Sequence, residues 1–269
     1  MQLSPYLKRI GYAGTLNPTL ETLAGVAASH ATAIPFENID AFLGRRVSLD
    51  PDAVFDKLVT RQRGGWCFEQ NLLLGDALRG LGFDVTDLGA RVVWGRTADA
   101  EAARTHRALL VRVAGRALLA DVGFGGMTMA GLIDMDIEGA QQVARDSFRL
   151  SRVGQDFLVS ARVRAEWLPM YRFDLHPQLP VDFEAANFQL VHDPASHFTQ
   201  GMVASRVVES GRHALRGREL AFHTFEGETT RRELGSAAEL VATLRGEMGI
   251  VIDEATESAL LAKLESQGR

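Results

Sequence analysis

The sequence predicts an α+β protein in three regions: a helical N-terminal bundle over 1–83, a β-barrel-like domain over 84–187 and an α/β C-terminal region over 188–269. Three observations predict it. Helix-start signals and a leucine period fill the first region, short β-rich runs take over from about Asp84, and the last region mixes weaker strand signals with two capped helices. The 269 residues suffice for a sizeable core, because single cores stop growing at roughly 250 to 300 residues. Hydrophobic and charged shares of 46% and 23% are those of an ordinary globular chain and exclude disorder or a collagen-like repeat.

In the first region, Asn17 with Pro18 and Glu21, and again Asp50 with Pro51, combine a capping acceptor, a first-turn proline and an acidic first turn. These satisfy or complement the unpaired amide donors of a helix start. After Gly64 and Gly65, "WCFEQNLLLGDALRGLGF" carries Leu72, Leu74, Leu78 and Leu81 at helical spacing, interrupted by Gly75 and closed by Gly80 and Gly82. Cys67 falls in the first turn of that helix. In the middle region "ARVVWG", "RALLVRV", "RALLADVGF", "SFRLSRVG" and "DFLVSARVR" read as strands, the last two joined by a glycine turn. In the last region Ser236 and Glu239 form a capping box, and another helix starts near Asp253.

Cys67 is the only cysteine, so the chain has neither an internal disulfide nor the several thiolates of a structural zinc site. A reducing compartment and no bound metal are expected. The start "MQLSPYLKRIGYAG" has no signal-peptide core, and no run approaches the roughly 18 apolar residues of a membrane span. A cytoplasmic protein without a membrane partner is expected. The net charge of -5 is mild and no lysine and arginine block stands out. The arginines from Arg91 to Arg116 are read as a solvated face, with no nucleic-acid partner.

A free cysteine is usually a small buried hydrophobe, yet the first turn of a helix is also where the macrodipole favours thiolate over thiol. The preceding glycines let the backbone turn sharply and leave room beside the sulfur. A nucleophilic thiol calls for a base and a group that orients it. Of the seven histidines, only His106 opens a strong strand that is followed, after a glycine turn, by a second strand ending in an acid. If the hairpin turns at Ala114 and Gly115, Val113 pairs with Arg116 and Ala108 with Asp121. His106 and Asp121 then project from one sheet face as diagonal neighbours.

"RGGWCFEQN" at 63–71, "THRALLV" at 105–111 and "ADVGFGG" at 120–126 together resemble the arylamine N-acetyltransferase family, whose motif is RGG-x-C-x-E-x-N. "IPFENID", "ARVVWG" and "EWLPMYRFDLHPQLPVDF" are similar to the same family, so the resemblance spans nearly the whole chain; "ANFQLVHDPASHF" at 186–198 follows the family's serine- and threonine-rich stretch only loosely. The resemblance implies a cysteine-protease-like catalytic core with the C-terminal region as a lid, and a triad of Cys67 as acyl-accepting nucleophile, His106 as base and Asp121 as orienting acid. It implies ping-pong transfer of an acetyl group from acetyl-coenzyme A to arylamines, hydrazines or heterocyclic amines, a chemistry of xenobiotic metabolism. It further implies an acceptor pocket from Phe36, Val93 and Phe124, and coenzyme A contacts from Thr105, Gly125, Gly126 and Thr128, within or beside the glycine-rich run "GFGGMT". A homodimer is compatible with it. The Cys67 backbone N–H is the expected oxyanion donor.

Glu69 and Asn71 are assigned structural work, because they follow Cys67 too closely to share its helix face. Arg63 is expected to pair with Glu37 or Glu69, since a buried charge needs a partner. A papain-like peptidase is disfavoured by the short separation of Cys67 and His106 and by the absence of that family's signature. An amide synthase of the same fold that releases macrolactams from a polyketide carrier keeps the same triad and stays open. So does a redox sensor using Cys67 alone.

Overall fold

The computed structural model describes residues 2–267. The first region forms α1 (Leu3–Ile10), α2 (Leu20–Ala33), the two-residue strand β1 (Phe36–Glu37), α3 (Ile39–Phe42), α4 (Pro51–Phe55) running into a π turn (Asp56–Thr60), and α5 (Cys67–Gly80). Asp50 caps α4 as expected, its carboxylate accepting from Asp52 and Ala53 N–H. At α2 the cap is Thr19 rather than Asn17: Thr19 Oγ1 accepts the Thr22 N–H, and Pro18 stays outside the helix. Gly75 does not interrupt α5, which continues to Gly80 with its leucine face in the bundle core around Leu23, Leu58 and Leu78.

The middle region is one antiparallel sheet of eight strands, ordered β5-β4-β3-β2-β9-β8-β7-β6. The strands are β2 (Asp84–Val92), β3 (Arg104–Val113), β4 (Arg116–Ala120), β5 (Leu132–Asp134), β6 (Gly139–Val143), β7 (Asp146–Val153), β8 (Asp156–Val163) and β9 (Glu166–Pro177). The sheet curls into a nearly closed barrel. Where β5 and β6 lack a ladder, the Gln141 amide closes the seam by accepting from Asp134 N–H at 2.8 Å and donating to Asp134 O at 2.9 Å. The interior is apolar, with Leu110, Phe148, Val159 and Phe173. Arg107 departs from the expected solvated face: it is buried, paired with Asp87 at 2.7 Å and laid over the Phe183 ring.

The chain continues through α6 (Pro180–His192) and α7 (His197–Gln200) into β10 (Val203–Val208), β11 (Gly211–Arg216), β12 (Glu219–Thr224) and β13 (Thr229–Glu233), then α8 (Ala237–Arg245) and α9 (Glu254–Gln267). Ser236 Oγ caps α8 by accepting the Glu239 N–H, while the Glu239 carboxylate reaches back to Gly235 N–H. Both helices pack their leucines on one face of the C-terminal sheet. That sheet has five strands, and its edge strand is β1 from the first region, with Phe36 opposite Ser205. Among the described residues no helix is long and apolar enough to cross a membrane.

Candidate active site

Two crossing segments deliver Cys67. Residues 34–37 and 63–66 run side by side through a parallel bridge between Phe36 and Gly65, with Glu37 N–H donating to Gly65 O at 3.2 Å. Gly64 makes the crossing possible, because a Cβ there would overlap the Pro35 carbonyl oxygen. Arg63 braces the crossing from Glu37 at 2.7 Å and Asp40 at 3.3 Å, so of its two expected partners it takes Glu37. Glu69 instead takes Lys57 at 2.8 Å and accepts the Trp66 N–H at 3.1 Å. Cys67 is therefore the first residue of α5, buried, with Sγ 3.7 Å from Thr105 O. First-turn N–H groups of a helix have no intrahelical partner, and the Cys67 N–H is one of them.

His106 and Asp121 come from the β3–β4 hairpin. Ala114 and Gly115 both have positive φ, 51° and 75°, as a tight two-residue hairpin turn requires, and Val113 pairs with Arg116. The ladder ends at Leu109 and Ala120, one step before the expected pairing of Ala108 with Asp121. The two side chains nevertheless meet: His106 Nε2–H donates to Asp121 Oδ2 at 2.7 Å, both fully buried. Toward β2 the register slips at Thr105, since Ala90 pairs with His106 but Arg91 with Arg104. Such a bulge re-aims the local chain.

Asp121 accepts three N–H bonds: His106 on Oδ2, and Asn71 Nδ2 at 2.9 Å and Gly123 N–H at 3.0 Å on Oδ1. Asn71 also donates to Arg107 O at 2.6 Å and accepts from Val122 N–H at 3.0 Å. The expectation that Asn71 faces away from the sulfur is corrected here. It lies four residues after Cys67, the spacing that puts two side chains on one helix face. Gly123 closes the contact, as a Cβ there would lie 2.7 Å from Cys67 Cα and 2.9 Å from Asn71 Nδ2.

Burial favours the neutral forms of this pair, and charge overrules it. Desolvation pushes His106 down, but Asp121, by charge and hydrogen bond, and the adjacent Cys67 side chain hold it up to about 10. Burial likewise opposes the Asp121 carboxylate, yet His106, Asn71 and the Gly123 N–H keep it below the usual carboxylate range. With Nε2 committed to Asp121, Nδ1 is the ring nitrogen left for the sulfur.

Aromatic rings surround the imidazole. Phe124 stands edge-on to it at 5.3 Å between centroids, Tyr171 lies at 4.9 Å, and the exposed Trp94 meets Phe124 at 6.1 Å. Tyr171 Oη is buried beside Asp121 without a hydrogen bond of normal geometry among the described residues. No local sequence pattern marks Tyr171 or Trp94, since their approach depends on β9 pairing with β2. Phe36 is buried against the position a Gly125 Cβ would occupy, at 3.6 Å, and tilts against Phe198. Val93 is wholly buried, its N–H donating to Met170 O at 2.9 Å. Gly125 begins a 3-10 turn (Gly125–Met127), and Thr128 Oγ1 donates back to Gly125 O at 2.9 Å. Gly126 O accepts from Arg212 Nη1 at 2.8 Å, and Arg212 is also paired with Asp146.

A buried thiol beside an imidazole held by a carboxylate, with the Phe124 and Tyr171 rings against it, is an arrangement capable of nucleophilic chemistry. Comparisons with known proteins show what the chain is similar to. Residues 19–257 match the family model described as N-acetyltransferase. The chain is 42% identical to an arylamine N-acetyltransferase of Mycolicibacterium smegmatis over 93% of this chain and 92% of that protein. It is 37% identical to one of Mycobacterium bovis over 97% and 93% of the respective chains. A solved Mycobacterium marinum arylamine N-acetyltransferase in complex with CoA superposes with a TM-score of 0.93 at 37% identity, covering 98% of this chain and 99% of that one.

Proposed function

Because the chain belongs to the arylamine N-acetyltransferase family, we propose that it carries an acetyl group from acetyl-coenzyme A to the nitrogen of an arylamine, hydrazine or related heterocyclic amine through an acetyl-Cys67 intermediate. The observation that carries this reading is the 2.7 Å bond between His106 and the buried Asp121, on a ring whose other nitrogen is left for Cys67.

In the first half-reaction the Cys67 thiolate attacks the thioester carbonyl, and the Cys67 N–H faces the oxygen as it gains charge. The C–S bond to coenzyme A then breaks. The departing thiolate takes the His106 proton, leaving a neutral imidazole and an acetylated cysteine. In the second half-reaction the amine nitrogen attacks the acetyl carbon, neutral His106 removes the amine proton, and Cys67 leaves as thiolate beside the re-formed imidazolium. Asp121 holds one tautomer throughout and offsets the ring charge whenever it is present.

Phe36, Val93 and Phe124 form the aryl pocket in this reading, and the exposed edge of Trp94 extends it toward solvent. Thr105, Gly125, Gly126 and Thr128 receive coenzyme A. The backbone of the turn does this work, because the Thr128 hydroxyl is already committed to Gly125 O.

The test is the intact mass of the protein after brief exposure to acetyl-coenzyme A without acceptor, beside a Cys67→Ala control. One added acetyl group, absent from the control and discharged by an arylamine, is the expected result. A free thiol that gains no acetyl group rejects the reading.

A further inference from the structure

The helical bundle contains a buried polar chain that the acyl-transfer mechanism does not use. Gln70, in the first turn of α5, is wholly buried; its Nε2 donates to Pro35 O at 2.8 Å, with Gly65 O and Ile34 O at 3.2 and 3.3 Å. Backbone carbonyls only accept, so the amide can face them only with its nitrogen. Its oxygen therefore faces His30, and His30 Nε2 must carry the hydrogen of the 2.8 Å bond between them. His30 Nδ1 is then left as an acceptor, and the Tyr6 hydroxyl donates to it at 2.9 Å. Each orientation fixes the next, from α1 through α2 to α5.

The far end of this chain is the crossing that carries the thiol. Pro35 O and Gly65 O are also acceptors in the crossing itself, from Gly65 N–H at 3.3 Å and Glu37 N–H at 3.2 Å. One side-chain amide thus grips both backbone segments, two residues before Cys67 on one of them. The ring in the middle is neutral, since burial pushes His30 down to about 4, with the Gln70 bond opposing and Arg9 adding to the fall.

We propose that Gln70 is a positioning residue for Cys67, oriented by a Tyr6–His30 relay, so that the reactivity of the thiol depends on three side chains that touch neither the sulfur nor a substrate. The inference rests on Cys67 acting as the nucleophile of the proposed transfer. A displacement of about 1 Å in a reacting group lowers rates by up to about 100-fold, which sets the scale of the effect.

The experiment compares Gln70→Met and Tyr6→Phe with the wild type, well below the unfolding temperature of each protein. Cys67 is reacted with acetyl-coenzyme A and, separately, with iodoacetamide, and both the reactive fraction and the rate constant of that fraction are read by intact mass. A positioning role lowers the rate constants, about 10- to 100-fold in Gln70→Met and severalfold in Tyr6→Phe, while the acetyl-coenzyme A concentration at half-maximal rate stays put. Were Gln70→Met to fail to fold, Tyr6→Phe, which loses one hydroxyl and keeps its ring packing, decides alone. Unchanged rate constants with a smaller reactive fraction or a lower melting temperature overturn the proposal and leave the chain as packing. If acetyl-coenzyme A does not label even the wild type, the proposed function fails, whereas the iodoacetamide series still decides the relay.

Discussion

At the scale of single residues, the site depends on how Asp121 is held. It accepts three N–H bonds and has no contact with solvent. Asp121→Asn removes the charge that favours the imidazolium and should lower the acetylation rate of Cys67 about 100-fold or more, the range of general acid-base assistance, with the label again read by mass. The His106 shift also has a signature in stability. Its folded value is raised above the unfolded 6.5, so protonated His106 stabilises the fold fully below pH 6.5, and that contribution is lost as the pH rises through about 10. Urea unfolding between pH 6 and 10.5 should show wild-type stability falling over this window more steeply than that of Asp121→Asn. His106 and Asp121 were legible from sequence because the Ala114-Gly115 turn fixes the hairpin register, and a fixed register fixes which face each side chain takes. Asn71 carries an equally legible signal, because a residue four positions after Cys67 shares its helix face. Tyr171 and Trp94 were not legible, since no local period shows which distant strand a strand pairs with.

At the scale of elements, α5 is anchored at its start by charges from its neighbours. Lys57, in the π turn after α4, lies between Asp40 at 2.7 Å and Glu69 at 2.8 Å, and all three are largely buried. Burial favours neutral lysine, but the Glu69, Glu37 and Asp40 carboxylates hold it charged. Lys57→Met leaves Glu69 without its cation, while Glu37 and Asp40 keep Arg63, and should reduce the unfolding free energy by about 3 to 5 kcal/mol, as breaking a buried pair does. Adding Glu69→Gln should restore part of it, which a chemical denaturation series would read. The helix itself was plain in the sequence from its leucine period and the glycines before Cys67. Its anchoring was not, because Lys57 lies in a π turn outside the motif and no local pattern marks it as the partner of Glu69. The α2 start shows a similar limit: Asn17 and Thr19 both offer a capping oxygen, and the choice falls to the reciprocal contacts of Thr19 with Thr22.

At the scale of the whole molecule, the wall of the site is tied to the C-terminal sheet. Arg212 on β11 is buried, donates to Gly126 O at 2.8 Å and is paired with Asp146 at the start of β7, so one side chain joins three parts of the fold. Arg212→Met should loosen the 3-10 turn and raise the KM for acetyl-coenzyme A, with the acetylation rate at saturating donor little changed; steady-state kinetics separates the two. A mixed architecture with a strand-rich middle was readable from composition and period. That the first region lends a strand to the last sheet was not, because two residues carry no periodicity.

That loan also orders events in time. Asn38 accepts from Val203 N–H and donates to Gly201 O, so the outer brace of the crossing before Cys67 comes from residues some 165 positions later in the chain. At synthesis rates of about 5 to 20 residues per second, the single thiol emerges from the ribosome roughly 7 to 27 seconds before that brace exists. A nascent chain therefore carries its thiol on the N-terminal braces alone for about half of its translation, and the brace from Val203 and Gly201 arrives only with the C-terminal sheet.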